Sequence, residues 1–495
     1  MLIKIRPNEK QKYWEIWGYN NDMESQNSKR IHAFDNDVMS DLDAVGIAQL
    51  IRDKQASVQE VTAAAIARAQ RVNPHLNAIQ LECFERALAK PRFRQTGIFA
   101  GVPFFFKDNT DYQGLTTSHG SKAVNGNTVL INPKISQQFL DQGFVVLGKT
   151  TMPEFGLNAT TEFKDGSATF NPWHTDYSCG ASSGGSAAMV ASGVVPIAHA
   201  NDGGGSIRIP AACCGLIGLK PSRGRTFDSD AARSLPINII SEGVVTRSVR
   251  DTAYFYAGME QRFYNKKLPK IGLIEQPIQR RLRIGLVTQS ITGQIDQETS
   301  STLNQTAKLL ADLGHHVEEF KLPISISFVD DFSEYWGFLS FMLQTFGKKA
   351  FGAGFNVKQL DNLTVGLAGL YKKNFYKTPL FLYRLKRMQQ QYQDIFSQYD
   401  VLLSPVLAHT TPQIGYLSPR LPFDQLFDRI QNYVTFTPIQ NVVGAPGMSI
   451  PMGQTQVDGL PISMQLSANI GDEKTLIELA YEIEQAKPWH RIQDA

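Results

Sequence analysis

Chemistry in this chain is concentrated in a few short stretches. In "NDGGGSIRIPAACCGLIGLK", Asn201 to Lys220, consecutive glycines lead into Ser206, with Arg208 and Pro210 close behind. Glycine gives up much backbone entropy on folding, so such a run marks either a flexible turn or tight backbone geometry. Beside a serine, tight geometry would be a ring of N–H groups aimed at an anion next to a nucleophile. A second stretch, "CGASSGGSAA" from Cys179, holds Gly180, Ser182 and Gly184 in the order of a nucleophile elbow. An elbow follows a buried strand directly, yet "NPWHTDYSC" precedes this one, polar and broken by Pro172. None of the 9 histidines sits in a recognisable loop motif, so a Ser-His-Asp mechanism ranks below a base of another kind. The third stretch is "GVPFFFKDNTDYQGLTTSHGS", where Phe104, Phe105 and Phe106 run into Lys107. A lysine emerging from a buried strand is poorly solvated, which disfavours the ammonium form and lowers its pKa; neutral lysine is a base. The competing reading of Lys107 is an exposed strand-end charge or a partner for Asp108 or Asp111.

These groups need a scaffold that brings distant segments together. "SVQEVTAAAIARAQRVNP" opens with Ser57 and Glu60 as a capping box, and the pattern predicts a helix that stops at Pro74. "SQQFLDQGFVVLGKT" reads as a short helix feeding a buried strand at Phe144 to Leu147, and "LRIGLVT" from Leu282 repeats the strand pattern. "TLNQTAKLLADLGHHVEEF" places Leu303, Ala307, Leu310 and Ala311 on one helical face, with Gly314 where a C-cap is expected. Strands alternating with helices imply an α/β layer structure. From about Phe328 to Tyr433 the texture changes to successive aromatic-rich helices, before "DVLLSPV" from Asp400 resumes a strand. Most of those aromatics are expected in a core, and the remainder at a pocket mouth. Up to about Asp41 no steady period appears, so the first 39 residues read as an extension, poorly ordered or outside the native protein, with Met23 and Met39 as alternative starts.

Composition sets the outer limits. Hydrophobic residues make up 42% and charged residues 19%, ordinary for a globular chain. A net charge of +3 leaves no basic footprint for nucleic acid or an anionic membrane, so a small molecule is the default partner. Cys83, Cys179, Cys213 and Cys214 show neither a disulfide framework nor a paired metal motif, and reduced thiols in a cytoplasmic protein are the simplest account. The polar N-terminus lacks the apolar core of a signal peptide. The longest apolar tract, Ala187 to Ala200, is too short to span a bilayer and contains Pro196.

Taken together, "PFFFKDNTDYQGLTTSHGS", "CGASSGGSAAMVASG" and "NDGGGSIRIPAACCGLIGLKP" resemble the lysine and two serine segments of the amidase signature family. The separation of Ser182 and Ser206, 206 − 182 = 24 positions, matches its pattern. "TFTPIQNVVGAPGMSIPMG" and "GLPISMQL" resemble its closing strands. The likeness extends from roughly residue 40 to 490 and is weakest in the aromatic helices. "DGGGSIRIPAACCGLIGLKPSRGR" is most similar to the 6-aminohexanoate-cyclic-dimer hydrolases of the family; Gly203 is a departure from most members, which carry one glycine fewer.

The resemblance implies one amidase signature domain over 40–495, a large mixed central sheet flanked by helices on both faces, and a helical insertion at about 328–433. It implies Ser206 as nucleophile, Ser182 as a bridging serine on a cis peptide bond, and Lys107 as terminal base. The oxyanion hole would be the N–H groups of Gly203, Gly204, Gly205 and Ser206. Ser183, Asp202 and Arg208 would support the loops, and Asn158 would lie near substrate. No metal or cofactor is implied. The expected partner is an amide substrate, cyclic or linear, with a homodimer as candidate assembly. The alternative is the glutamine-hydrolysing component of a tRNA-dependent amidotransferase, which passes ammonia to the other chains of its complex.

Overall fold

The computed structural model describes residues 29–89, 96–324 and 326–494. Of the expected extension, residues 1–28 lie outside this range. Residues 29–39 run along the body of the protein, with Ile31 N–H donating to Pro172 O at 2.8 Å and Ala33 N–H to Ser192 O at 2.7 Å. Asp37 receives the buried Arg68 guanidinium through both carboxylate oxygens, each at 2.6 Å. A buried guanidinium without its carboxylate would be an uncompensated charge, so this contact fastens the segment to the helix that carries Arg68.

That helix, Val58–Leu76, begins with the expected capping box of Ser57 and Glu60. It ends two residues beyond Pro74 because a proline in the last turn forfeits only its own N–H bond. Asn77, in the left-handed region at φ 49°, closes the helix. On the helix Gln297–Asp312, Leu303, Ala307 and Leu310 are buried as expected, but Ala311 is exposed, and Thr302 and Thr306 complete the buried face instead.

Strands β1 (Ile79–Glu82), β2 (Pro103–Lys107) and β3 (Val145–Thr150) form a small sheet in the order β1-β3-β2, with β2 parallel to β3. A short hairpin, β4 (Phe170–Asn171) and β5 (His174–Ser178), follows. The strands β6 (Ile197–Asp202), β7 (Ile217–Lys220), β8 (Ser241–Thr246) and β9 (Arg283–Leu286) belong to a second, larger sheet. It is completed by β10 (His316–Glu319), β11 (Val401–Pro405), β12 (Gly447–Gln454) and β13 (Pro461–Ser467). The 8-stranded order is β10-β9-β11-β13-β12-β7-β8-β6. It is mixed: β10, β9 and β11 are parallel, and the neighbours from β11 to β6 are antiparallel. Every residue of β6, β7, β8, β11 and β13 is buried, which requires cover on both faces. Helices Val249–Arg262, Gln297–Asp312 and Glu473–Ala486 supply part of it. The observed fold is the expected α/β arrangement around a large mixed sheet.

The aromatic stretch forms helices Ser327–Phe351, Asn362–Asn374, Thr378–Ile395 and Phe423–Tyr433, interrupted by β11, an interior strand of the large sheet. Tyr335, Tyr371, Phe381 and Tyr392 are buried in a second core. The four cysteines are thiols rather than disulfides. Among the described residues no helix is long and apolar enough to cross a membrane.

Candidate active site

The reactive groups gather where β2 and β6 end. Lys107 closes β2, and its backbone N–H donates to His199 Nδ1 on β6 at 3.2 Å, so a side chain ties the small sheet to the edge of the large one. The Lys107 side chain is buried. Its Nζ donates to Ser182 Oγ at 2.6 Å and to Asn201 Oδ1 at 2.7 Å. Burial pushes the Lys107 pKa from 10.5 down to about 7, against the opposing carboxylates of Glu242 and Asp202. The apolar approach legible in Phe104, Phe105 and Phe106 is the cause, since all three rings are fully buried.

Ser182 follows a cis peptide bond from Ala181, and the helix Gly184–Ala191 begins just beyond it, buried along its whole length. Ser183 Oγ donates to Asn201 O at 3.4 Å. The loop across from Ser182 carries Phe155 at φ 49° and Gly156 at φ 70°. A Cβ on Gly156 would lie 2.9 Å from Ser182 Oγ, so this position must be glycine for both reasons. Phe155 is held in its unusual conformation by its N–H bond to His119 O at 2.8 Å and by ring contacts with His119 and Phe351.

Ser206 sits between the end of β6 and the helix Arg208–Cys214. Asp202 and Arg208 organise this turn. Arg208 Nε and Nη2 each reach an Asp202 oxygen at 2.9 Å, and both side chains are fully buried. Arg208 also donates to Gln440 Oε1, Gln465 Oε1 and Asn441 Oδ1, while Asn441 Nδ2 returns a bond to Asp202 Oδ1 at 2.8 Å. Burial would raise the Asp202 pKa, but the Arg208 guanidinium overrides it and holds the carboxyl well below the usual range. The pair expected to support the loop is thus the hub of a satisfied polar network.

The glycines divide into two kinds. Gly205 has φ 135°, and a Cβ there would meet Thr437 Oγ1 at 2.4 Å. Its N–H donates to Asp202 Oδ1 at 2.6 Å, which corrects its expected place in an oxyanion hole. The Asp202 carboxylate is the stronger acceptor and already occupies that donor. Among the described residues, no protein acceptor takes the N–H groups of Gly203, Gly204 or Ser206. A side chain on Gly203 or Gly204 would meet only Ile240 at 3.9 Å or Phe332 at 3.6 Å, so backbone geometry does not demand glycine there. Both border open space instead.

That space is a cavity of about 190 Å³, shared by Ser182, Asn201, Gly203, Gly204 and Ser206. Its walls include Phe155, Leu157, Ile239, Phe328, Phe332 and Trp336, so part of the aromatic helical stretch does face a pocket. Asn158 lies in the wall, where Nδ2 donates to Leu417 O at 2.9 Å and Oδ1 accepts from Ala159 N at 2.7 Å, leaving one N–H and one lone pair of the amide free of these two bonds. Among the described residues no Ser206 Oγ hydrogen bond to protein is formed; the hydroxyl opens onto the cavity.

His119, His174 and His199 do not line the cavity. His199 pairs its Nε2 with Glu242 at 3.0 Å, and burial lowers its pKa; burial likewise pushes His119 down to about 4. Sequence reading missed Asn201, which accepts from Lys107, and Thr437, whose hydroxyl donates to Gly204 O at 2.6 Å. It also missed Gln440, Asn441 and Gln465. Asn201 stands in the quoted serine segment, but nothing in an Asn at a strand end signals a lysine partner. Among the described residues no group of His, Cys, Asp and Glu converges on a metal site.

Comparison with known proteins gives the family. A family model described as Amidase matches residues 60–477. "Putative amidase AmiC" of Mycobacterium tuberculosis is 47% identical over 466 residues, covering 94% of this chain and 98% of the relative. The 6-aminohexanoate-cyclic-dimer hydrolase of Paenarthrobacter ureafaciens is 33% identical, covering 90% of this chain and 95% of the relative. The solved structure of 6-aminohexanoate cyclic dimer hydrolase complexed with substrate superposes with a TM-score of 0.82 at 30% identity, covering 92% of this chain and 99% of that one. With the family model spanning most of its length, the chain belongs to the amidase signature family, hydrolases of carboxylic amide C–N bonds.

Proposed function

We propose that this amidase cleaves its substrate through an acyl-enzyme on Ser206, with Ser182 and Lys107 as a proton relay. The observation that carries the reading is the 2.6 Å contact from Lys107 Nζ to Ser182 Oγ beside a cavity that Ser182 shares with Ser206. Neutral Lys107 takes the Ser182 proton while Ser182 takes that of Ser206, and Ser206 Oγ attacks the amide carbon. The negative charge that develops on the carbonyl oxygen is met by the N–H groups of Gly203, Gly204 and Ser206. One such donor is worth roughly 3 kcal/mol of transition-state stabilisation. The proton returns through Ser182 to the departing amine, and water then releases the acid and frees Ser206.

Cyclic and linear oligoamides are substrate candidates, supported by the name of the relative that is 33% identical. Release of amine from a carboxylic amide by the wild type, and its loss in Ser206→Ala with the fold intact, is the expected result. Turnover that survives Ser206→Ala would refute the assignment.

A further inference from the structure

The cavity in front of Ser206 restricts the charge of what can enter it. Among the described residues that line it, none carries a charged side chain. Phe155, Ile239, Phe332 and Trp336 supply apolar wall, and Asn109 and Gln431 are among its neutral polar groups. The charged groups beside the two serines are committed: Lys107 Nζ is engaged by Ser182 and Asn201, and Asp202 by Arg208 and the Gly205 N–H. A formal charge carried in on a substrate would lose water and meet no counter-ion. Neutral amide groups fare differently. Asn109 Oδ1 is buried without a hydrogen-bond partner among the described residues, an acceptor suited to an amide N–H. The Phe332 ring, 3.6 Å from where a Cβ on Gly204 would stand, covers the cavity with apolar surface next to the unoccupied N–H groups.

From this we infer that the substrate is an amide uncharged on both sides of the scissile bond, with an apolar acyl or amine portion. The inference rests on the amidase reading of Ser206 and narrows it: cyclic and end-capped oligoamides remain, whereas zwitterionic open chains and free glutamine are excluded. A glutaminase would have to bind an α-ammonium and an α-carboxylate in this space.

The test compares heptanamide, 6-aminohexanamide, adipamate and glutamine on the full chain at neutral pH, with Ser206 competence checked by fluorophosphonate labelling. The first two are nearly isosteric and differ by one terminal charge. Heptanamide should exceed each charged amide in kcat/KM by on the order of 100-fold or more, the loss expected for burying an unpaired charge. Comparable or faster hydrolysis of a charged amide would overturn the substrate class and leave the amidase reading standing. Hydrolysis of none of them by protein that labels at Ser206 would likewise overturn the substrate class, whereas absence of labelling at Ser206 would overturn the reading of that serine as nucleophile. Gln431→Glu adds a carboxylate to the cavity wall, where it can accept from Ser333 Oγ in place of the present 3.0 Å bond. It should raise 6-aminohexanamide relative to heptanamide by about tenfold or more. An unchanged ratio would remove this cavity from substrate recognition.

Discussion

Lys107→Arg is the substitution that separates a base from a mere cation. With its pKa pushed down to about 7, Lys107 is about half neutral at pH 7, whereas a lysine at the usual 10.5 would be neutral in roughly one molecule in 3000. Burial therefore raises the competent fraction by about three orders of magnitude. From pH 6 to pH 8 that fraction climbs about tenfold, and kcat/KM on a neutral amide should climb with it to an alkaline plateau. Arginine keeps the charge and cannot deprotonate, so activity should fall by on the order of 10³-fold or more. Glu154, pushed up to about 7 by burial beside Asp361, titrates in the same range and ties the Phe155 loop to the helix Asn362–Asn374. Lys107→Ala distinguishes the two, because the rise should vanish with Lys107 and persist in Glu154→Gln. Stability carries the same signature: between about pH 7 and 10.5 the unfolded lysine holds a proton that the folded one has released, so stability should rise with pH across that window. Denaturant titrations at several pH values should show a shallower slope in Lys107→Met than in wild type, with the remainder carried by the buried Lys149 and Lys220, whose pKa values burial also lowers. Near-wild-type turnover in Lys107→Arg, or an unchanged alkaline rise in Lys107→Ala, would refute the reasoning.

Other substitutions probe the support around the triad. Arg208→Ala leaves the Asp202 carboxylate buried without its cation and should cost about 3–5 kcal/mol in denaturant unfolding; a loss under about 1 kcal/mol would contradict the network as drawn. Gly156→Ala places a Cβ against Ser182 Oγ at a positive φ, and kcat/KM should drop on the order of 100-fold while the protein stays folded. His199→Gln can still accept from Lys107 N–H and face Glu242, so kcat should stay within about tenfold. A loss near 10⁴-fold with intact structure would instead mark a histidine base.

Much of the site was legible because its residues break local rules. A lysine at the end of three phenylalanines, and a serine behind a run of glycines, are conspicuous against ordinary strand and turn composition. The partners of those residues were not legible. Gln440, Asn441 and Gln465 meet Arg208 across more than 230 positions of chain, and a lone Asn or Gln has no local signature of such a bond. Gly205 looked equivalent to its two neighbours, yet only its φ lies in the left-handed half, and its N–H turns away toward Asp202. The helix at Pro74 overran its expected end because Asn77 supplied a left-handed cap that outweighed one missing bond. The aromatic helices were legible as a class. Which rings face the cavity was decided by how Ser327–Phe351 packs against Asn362–Asn374.

The central claim is that Ser206, and not Ser182, bears the acyl group. Both are serines among glycines, both precede a buried helix, and both border the same cavity. Labelling the wild type with a fluorophosphonate and mapping the adduct by peptide mass spectrometry separates them. The account predicts modification at Ser206, no modification in Ser206→Ala, and slow labelling at Ser206 when Lys107 is replaced by alanine. An adduct on Ser182 that survives Ser206→Ala would contradict it.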